Sequence, residues 1–267
     1  MKRILTTIAA AGAIALAADA QTLNVVVGDV TYALPAAQAG DMTYSGGTQL
    51  TVMGKTLRLS DITRMYVDQS EVEDNTVSVS YSGTTAKVVV AGNVAQYVEP
   101  MVSGADVVLT QSDAVSDDVC GEITYVLSGS SDDGSFTLNG SYKATLELQG
   151  VTLTSLTGAP LNINDGKRIE LSAKKDTENT LRDAADGSQK GCIACKGHLE
   201  LKGKGTLNVY GNAAHAIYAK EYVELKNATV NVLAAVKDGI NCNQYFTMES
   251  GALNVSGVKD DGVQVSF

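Results

Sequence analysis

Two turns near the C-terminal end carry carboxylates in almost the same words, Val236-Lys-Asp-Gly239 and Val258-Lys-Asp-Asp-Gly262. Asp238 aligns with Asp261, and Asp260 stands beside it. Stacked as neighbouring coils, these carboxylates come about 5 Å apart, where anions repel unless something neutralises them. Two neutralisers fit. Lys237 and Lys259 adjoin the acids in sequence, which makes the cluster a local ion-pair network. A hard cation such as Ca2+ takes clustered carboxylates and turn carbonyls as ligands, which makes Asp238, Asp260 and Asp261 a metal site. The upstream copies of this turn carry Gly191 and His215 in the same position, so any such site belongs to the C-terminal end.

A second constellation is aromatic. Arg168, His198, Tyr222 and Tyr245 fall in one outward column, with Tyr218, Asn241 and Gln264 in a neighbouring polar one. Flat rings along a column can lie against sugar faces, or stack on each other for about 0.5–1.5 kcal/mol per pair. Tyr222, Tyr245, His198 and Tyr218 are the candidate carbohydrate contacts, and the amides of the polar column suit hydroxyl groups.

Other chemistry finds less support. Cys192-Ile-Ala-Cys195 has redox spacing but lies on a strand, and the cysteines read as small apolar residues. Cys195 and Cys242 stand two coils apart, roughly 9.5 Å by strand spacing, too far for a disulfide. A zinc site would need His198 or His215 to converge on the thiols, which the register forbids. No Ser/His/Asp set exists, because only His198 and His215 are present. A polysaccharide lyase on this scaffold would want an Arg or Lys base beside clustered aspartates. Lys237 and Lys259 are there, but no Arg follows Arg182. Paired carboxylates for glycoside hydrolysis stay open, since their separations are not fixed by sequence.

These residues are placed by a repeat. Gly191-Cys-Ile-Ala-Cys-Lys, His215-Ala-Ile-Tyr-Ala-Lys, Asp238-Gly-Ile-Asn-Cys-Asn and Asp261-Gly-Val-Gln-Val-Ser follow one another at offsets of 24, 23 and 23 residues. A fixed period in this range marks a solenoid, each copy burying its apolar face against the next. Within each copy apolar and polar residues alternate with the period of a strand. The inward columns are Ile193/Ile217/Ile240/Val263, Leu199/Val223/Phe246 and Leu207/Val230/Leu253, and Asn208/Asn231/Asn254 form an outward amide ladder. The fold is therefore all-β, a parallel β-helix over residues 121–267, with the coils starting near Ile123. Residues 21–120 read as one or two small antiparallel β modules, with turns at Gly28-Asp and Ser82-Gly-Thr. Ser60-Asp-Ile-Thr could open a single helical turn. A polar insertion is expected in one coil, from Asp176 to Gly187.

Residues 1–20 read as a cleaved secretory signal, with basic Lys2 and Arg3, an apolar run from Ile4 to Ala17, and Ala18-Asp19-Ala20 before the cut. The apolar run is short of the roughly 20 residues of a span. No Cys follows the cut to take a lipid, so the protein is expected in the periplasm, at the cell surface or in the medium. The net charge of −10, with no basic cluster, argues against nucleic acid and anionic membranes. Because the sequence stops at Phe267 inside a new copy, further coils are expected beyond it.

Glu178-Asn-Thr-Leu, Gly203-Lys-Gly-Thr-Leu-Asn-Val209, Lys220-Glu-Tyr-Val-Glu-Leu-Lys and Lys237-Asp-Gly-Ile240 resemble the exported bacterial family of carbohydrate-binding domain-containing proteins, from about Gly140 onward. The N-terminal module and leader resemble those of exported Bacteroidetes proteins. The family resemblance implies a right-handed parallel β-helix, Ca2+ at Asp-rich turns, and binding of cellulose or an acidic pectin-like polysaccharide. By their matching turns, Asp238, Asp260 and Asp261 inherit the calcium role, while His215 departs from the pattern. The resulting expectation is a non-catalytic, calcium-dependent polysaccharide-binding protein. A pectate-lyase-like enzyme and a structural surface spacer or adhesin are the alternatives.

Overall fold

The structure, a computed structural model, describes residues 21–40 and 42–266; the expected leader and Phe267 lie outside the described residues. Apart from one 3-10 turn at Gly92–Tyr97, the regular elements described are strands. From Asp106 onward they wind into a parallel β-solenoid of about six turns. Each coil contributes up to three short strands, and these stack into three faces.

The first face runs Asp106–Gln111, Ser135–Asn139, Leu161–Asn164, Gly191–Cys195, His215–Ala219, Ile240–Cys242 and Val263–Val265. The second includes Ile123–Ser131, Ala144–Thr154, Arg168–Ala173, His198–Gly203, Val223–Leu225 and Phe246–Met248. The third includes Glu178–Arg182, Thr206–Gly211, Thr229–Ala235 and Ala252–Val255. The register repeats the sequence columns. Ile193, Ile217, Ile240 and Val263 pair in line, as do Cys195, Ala219, Cys242 and Val265. Ile193, Ile217 and Ile240 are completely buried. The asparagine ladder also forms: Asn231 Nδ2 donates to Asn208 Oδ1 at 2.8 Å, and Asn254 Nδ2 to Asn231 Oδ1 at 2.9 Å. Coils sit one strand spacing apart, so each amide reaches the next.

The corner between the second and third faces needs a left-handed residue. Gly203 has φ +98°, and a Cβ there would fall 2.0 Å from the carbonyl oxygen of Ala173 in the coil before. Only glycine permits both that angle and that approach.

The N-terminal residues hold antiparallel pairs, Thr22–Val27 with Val30–Pro35 and Thr76–Ser82 with Thr85–Ala91, and a small sheet of Thr43–Ser45, Gln49–Val52 and Lys55–Arg58. The hairpin turns fall at Gly28 and Gly83, both with positive φ. Thr76–Ser82 pairs in parallel with Ile123–Ser131, so the N-terminal strands and the coils share hydrogen bonds across residue 120. Buried residues from both parts form one apolar cluster.

Two details differ from expectation. Ser60-Asp61 is a turn leading into the strand Ile62–Asp68, and the helical turn lies at Gly92 instead. The polar insertion is shorter than expected, since Glu178–Arg182 is a regular third-face strand and only the stretch after it is extra. The polar Asn179 hid this strand. It takes the inward place held by Leu207 in the next coil and is completely buried. Its Nδ2 donates to Thr177 Oγ1 and to the Thr206 carbonyl, both at 3.1 Å. Its Oδ1 accepts the N–H groups of Gly150 and Val151 at 2.9 and 3.0 Å. With every bond made, the amide is a workable core residue.

Candidate binding groove

Alternation on the first face decides what looks outward. With Ile217, Ala219, Ile240, Cys242, Val263 and Val265 committed inward, Tyr218, Asn241 and Gln264 stand in register on the outer surface. They form the floor of a groove of about 680 Å³. One wall is the loop Gly187–Lys190, which closes the insertion. Both ends of that loop are anchored. Asp183 accepts the backbone N–H groups of Asn212 and, at 3.3 Å, Ala213 in the coil after it. Gln189 Oε1 accepts the N–H of Ala159 at 3.2 Å in the coil before it. Burial pushes the Asp183 carboxyl above its ordinary range, and these N–H groups pull it partly back. At the end of the loop Lys190 donates from Nζ to the Tyr218 hydroxyl at 3.3 Å, and its ammonium lies 4.8 Å from the centre of the Tyr218 ring.

The acidic turns border the same groove, which Lys237, Asp238 and Asp260 help to line. One carboxylate oxygen of each of Asp238, Asp260 and Asp261 lies within 4.8 Å of the others. Asp238 is 1% exposed, whereas Asp260 and Asp261 face solvent. Asp238 Oδ1 accepts the N–H of Asp261 at 3.2 Å, and Oδ2 accepts Asn241 Nδ2 at 2.9 Å. His215 Nδ1 lies 3.1 Å from Oδ2 and 3.3 Å from the Asp238 backbone nitrogen. Burial lowers the His215 pKa, and Lys237 and Lys190 push the same way against the pull of Asp238. The state of Nδ1 selects between those two contacts: carrying a proton it donates to the carboxylate, and without one it accepts the backbone N–H. Among the described residues neither Lys237 nor Lys259 makes an ion pair with the cluster; His215 is the one basic side chain within pairing distance of these carboxylates. The purely lysine-neutralised network expected as one alternative is not formed as contacts. Three oxygens at this separation, two of them accessible, fit the oxygen-donor chemistry of a hard cation held at about 2.3–2.6 Å.

Of the four aromatic candidates, Tyr218 alone lines the groove. His198, Tyr222 and Tyr245 stand together round the next corner, beside the second face. Their rings cover each other, His198 to Tyr222 at 4.4 Å and Tyr222 to Tyr245 at 4.7 Å and 7°. That stacking leaves ring edges outward along the column, and the open face of Tyr245, 45% exposed, at its end. His198 Nε2 is 2.7 Å from Glu221 Oε2, and the Tyr222 hydroxyl donates to Glu200 at 3.4 Å.

The cysteines behave as buried apolar residues. Cys192, Cys195 and Cys242 are buried and all four thiols are free. Burial raises the Cys195 thiol to about 12 and the Cys192 thiol well above its ordinary value, which removes them from thiolate chemistry. No cysteine joins a metal-ligating cluster among the described residues. Lys190 is the groove residue that sequence reasoning missed. Its only signal was its place at the end of a polar insertion, and nothing in one dimension shows that its ammonium reaches Tyr218 in the next coil.

A family model described as carbohydrate-binding domain-containing protein matches residues 103–266, which include the whole groove. A curated relative from Acetivibrio thermocellus with that description is 25% identical over 120 residues, 41% of this chain. The match spans 42% of the relative's own length. A solved structure described as the polysaccharide lyase-like protein from C. thermocellum, a gadolinium derivative, is similar with a TM-score of 0.51 and 17% identity. That likeness covers 71% of this chain and 94% of the other, and at this identity it shows the fold alone.

Proposed function

The chain belongs to the carbohydrate-binding domain-containing protein family, and from that premise we propose that it is an exported, non-catalytic protein that binds polysaccharide in the first-face groove with the help of Ca2+. The observation that carries this reading is the meeting of two chemistries in one groove. A floor of hydroxyl and amide groups, Tyr218, Asn241 and Gln264, offers hydrogen bonds to sugar hydroxyls, and a carboxylate cluster adjoins it. Asp238, Asp260 and Asp261 would hold the ion, whose contribution when bound is to neutralise the cluster and to present a positive charge beside the floor. The ammonium groups of Lys190 and Lys237, which make no ion pair among the described residues, favour a glycan that carries carboxylates, and cellulose remains the neutral candidate. The outward ring edges of the His198–Tyr222–Tyr245 column offer sugar contacts outside the groove.

The test is co-sedimentation with insoluble cellulose and with calcium-gelled pectin, alongside affinity electrophoresis in soluble polygalacturonate, with calcium and with a chelator. Retention that chelation weakens and that Tyr218→Ala with Gln264→Ala removes is the expected result. A protein retained by none of the glycans sinks the reading and leaves a structural spacer.

One observation favours a lyase as the second reading: Lys190 and Lys237 place amines in the groove beside the carboxylates. A lyase needs a base at the sugar C5 proton and a cation on the uronate carboxylate. Release of unsaturated ends from polygalacturonate, read by ultraviolet absorbance and abolished in Lys190→Met, would replace binding by catalysis as the function.

A further inference from the structure

Asn241 is the side chain through which the carboxylate cluster and the groove floor touch. It is 5% exposed yet lines the groove. On one side its Nδ2 donates to Asp238 Oδ2 at 2.9 Å. On the other it donates to Gln264 Oε1 at 2.6 Å, with Ser266 Oγ at 3.5 Å. A primary amide has two N–H donors, so both are committed, one to the cluster and one to the floor. Asn241 Oδ1 accepts no hydrogen bond among the described residues and is the acceptor left for a ligand. Turning the amide over would set Oδ1 against the Asp238 carboxylate, acceptor against acceptor. The position of that carboxylate therefore decides which end of Asn241 the floor presents.

We propose that Asn241 couples cation occupancy at Asp238 to glycan binding on the floor, so that each ligand tightens the other. The inference rests on the reading of the groove as a calcium-dependent glycan site. Three carboxylates crowded within 4.8 Å repel. A cation removes that repulsion and holds Asp238, Asp238 holds the Asn241 amide, and Asn241 holds Gln264. A glycan that meets an ordered floor loses less freedom on binding than one that must order it. The same factor must then operate in reverse, because coupling between binding sites is reciprocal.

The experiment is titration calorimetry of the full chain with two probes, Ca2+ and soluble polygalacturonate, each in the absence and presence of the other. In the unmodified protein calcium should tighten polygalacturonate binding about fivefold or more, the lower end of typical couplings, and polygalacturonate should tighten calcium by the same factor. Asn241→Ala removes a floor contact, so polygalacturonate alone should bind more weakly, and both factors should fall to near one with calcium still bound. Gln264→Ala cuts the other link and should lower the coupling with calcium affinity unchanged, which covers the case in which Asn241→Ala does not fold. A structural role for Asn241 would lower both affinities and the melting temperature together and leave the factor intact; that result overturns the proposal. Two ligands that bind the unmodified protein independently overturn it too, with the calcium and glycan sites left standing. No calcium binding at all overturns the underlying reading and the coupling with it; no binding of polygalacturonate overturns the coupling and the acidic-glycan reading, while cellulose binding is judged by the co-sedimentation.

Discussion

Asp238 shows how one residue's environment sets its task. It is held from three directions, by the Asp261 N–H, Asn241 and His215, while two more carboxylates crowd it. A cation bound by the folded state alone adds RT ln(1 + [L]/Kd), about 2.7 kcal/mol at a hundredfold excess over Kd. Millimolar Ca2+ should therefore raise the melting temperature in differential scanning calorimetry. Asp238→Asn combined with Asp261→Asn should abolish that rise and be neutral or stabilising in chelator, because repulsion is relieved. A calcium-dependent shift that survives the double change would place the ion elsewhere. Asp165 is a different case. It is completely buried, and its Oδ2 and Gln111 Oε1 border the space left by Gly140, where a Cβ would fall 2.6 and 2.9 Å from them. Burial raises the Asp165 carboxyl, against the N–H groups of Lys167 and Tyr142. A carboxyl raised in the folded state contributes stability below its unfolded pKa and loses it as pH rises through the folded value. Asp165→Asn should therefore gain over the unmodified protein as pH rises from the acid range to neutrality. Urea unfolding at pH 3.5 and pH 7 checks this; an advantage larger at the acid pH would refute the sign.

At the scale of the element, the unit of stability is the rung between neighbouring coils. Ile240 packs fully buried between Ile217 and Val263. Ile240→Asp puts an unpaired charge there and should cost several kcal/mol, with a carboxyl that protonates rather than stay ionised. The loss should be seen as a lowered denaturant midpoint or a chain that fails to fold; a variant within 1 kcal/mol of the unmodified protein would deny the inward register. On the outer side, Asn231 gives one rung and receives one in the amide ladder. Asn231→Ala removes both, and at about 0.5–1.5 kcal/mol per hydrogen bond the expected loss is roughly 1–3 kcal/mol in urea unfolding. The corner after the second face is less tolerant: at Gly203 any side chain meets both a left-handed φ and a carbonyl of the coil before it.

For the molecule as a whole, a solenoid's stability is close to a sum of coil and nearest-neighbour terms. Coils with fully buried columns should then open less often than coils with partly buried ones. Ile193 and Ile217 are completely buried, while Phe246, Leu253, Val255, Val263 and Val265 are half-buried. In a chain that ends at Phe267, native-state hydrogen exchange should show the amides of 193–217 protected well beyond those of 246–265. Uniform protection along the coils would mean the chain opens as one unit. Export makes a separate claim on the whole chain: N-terminal sequencing of protein recovered from outside the cytoplasm should begin at Gln21. An intact Met1 on such protein would remove the leader assignment.

The sequence by itself determined the coil. Strand alternation, a period of 23 or 24 residues and a repeated amide column allow one solution, because each copy buries its apolar face only against a neighbour in register. It also brought Asp238, Asp260 and Asp261 to one edge, since aligned positions in stacked coils are neighbours by construction. Where one coil departs from the repeat, the sequence misled. Asn179 looked like part of a polar insertion because its burial rests on four hydrogen bonds, none of which leaves a mark in the local pattern. Tertiary structure alone decided that the Lys190 ammonium reaches Tyr218, that the Tyr218 column lines the groove while the His198–Tyr222–Tyr245 column stands outside it, and that Asn241 joins the cluster to the floor. Those are contacts between a loop, a corner and a strand face, set by side-chain reach across coils rather than by any period along the chain.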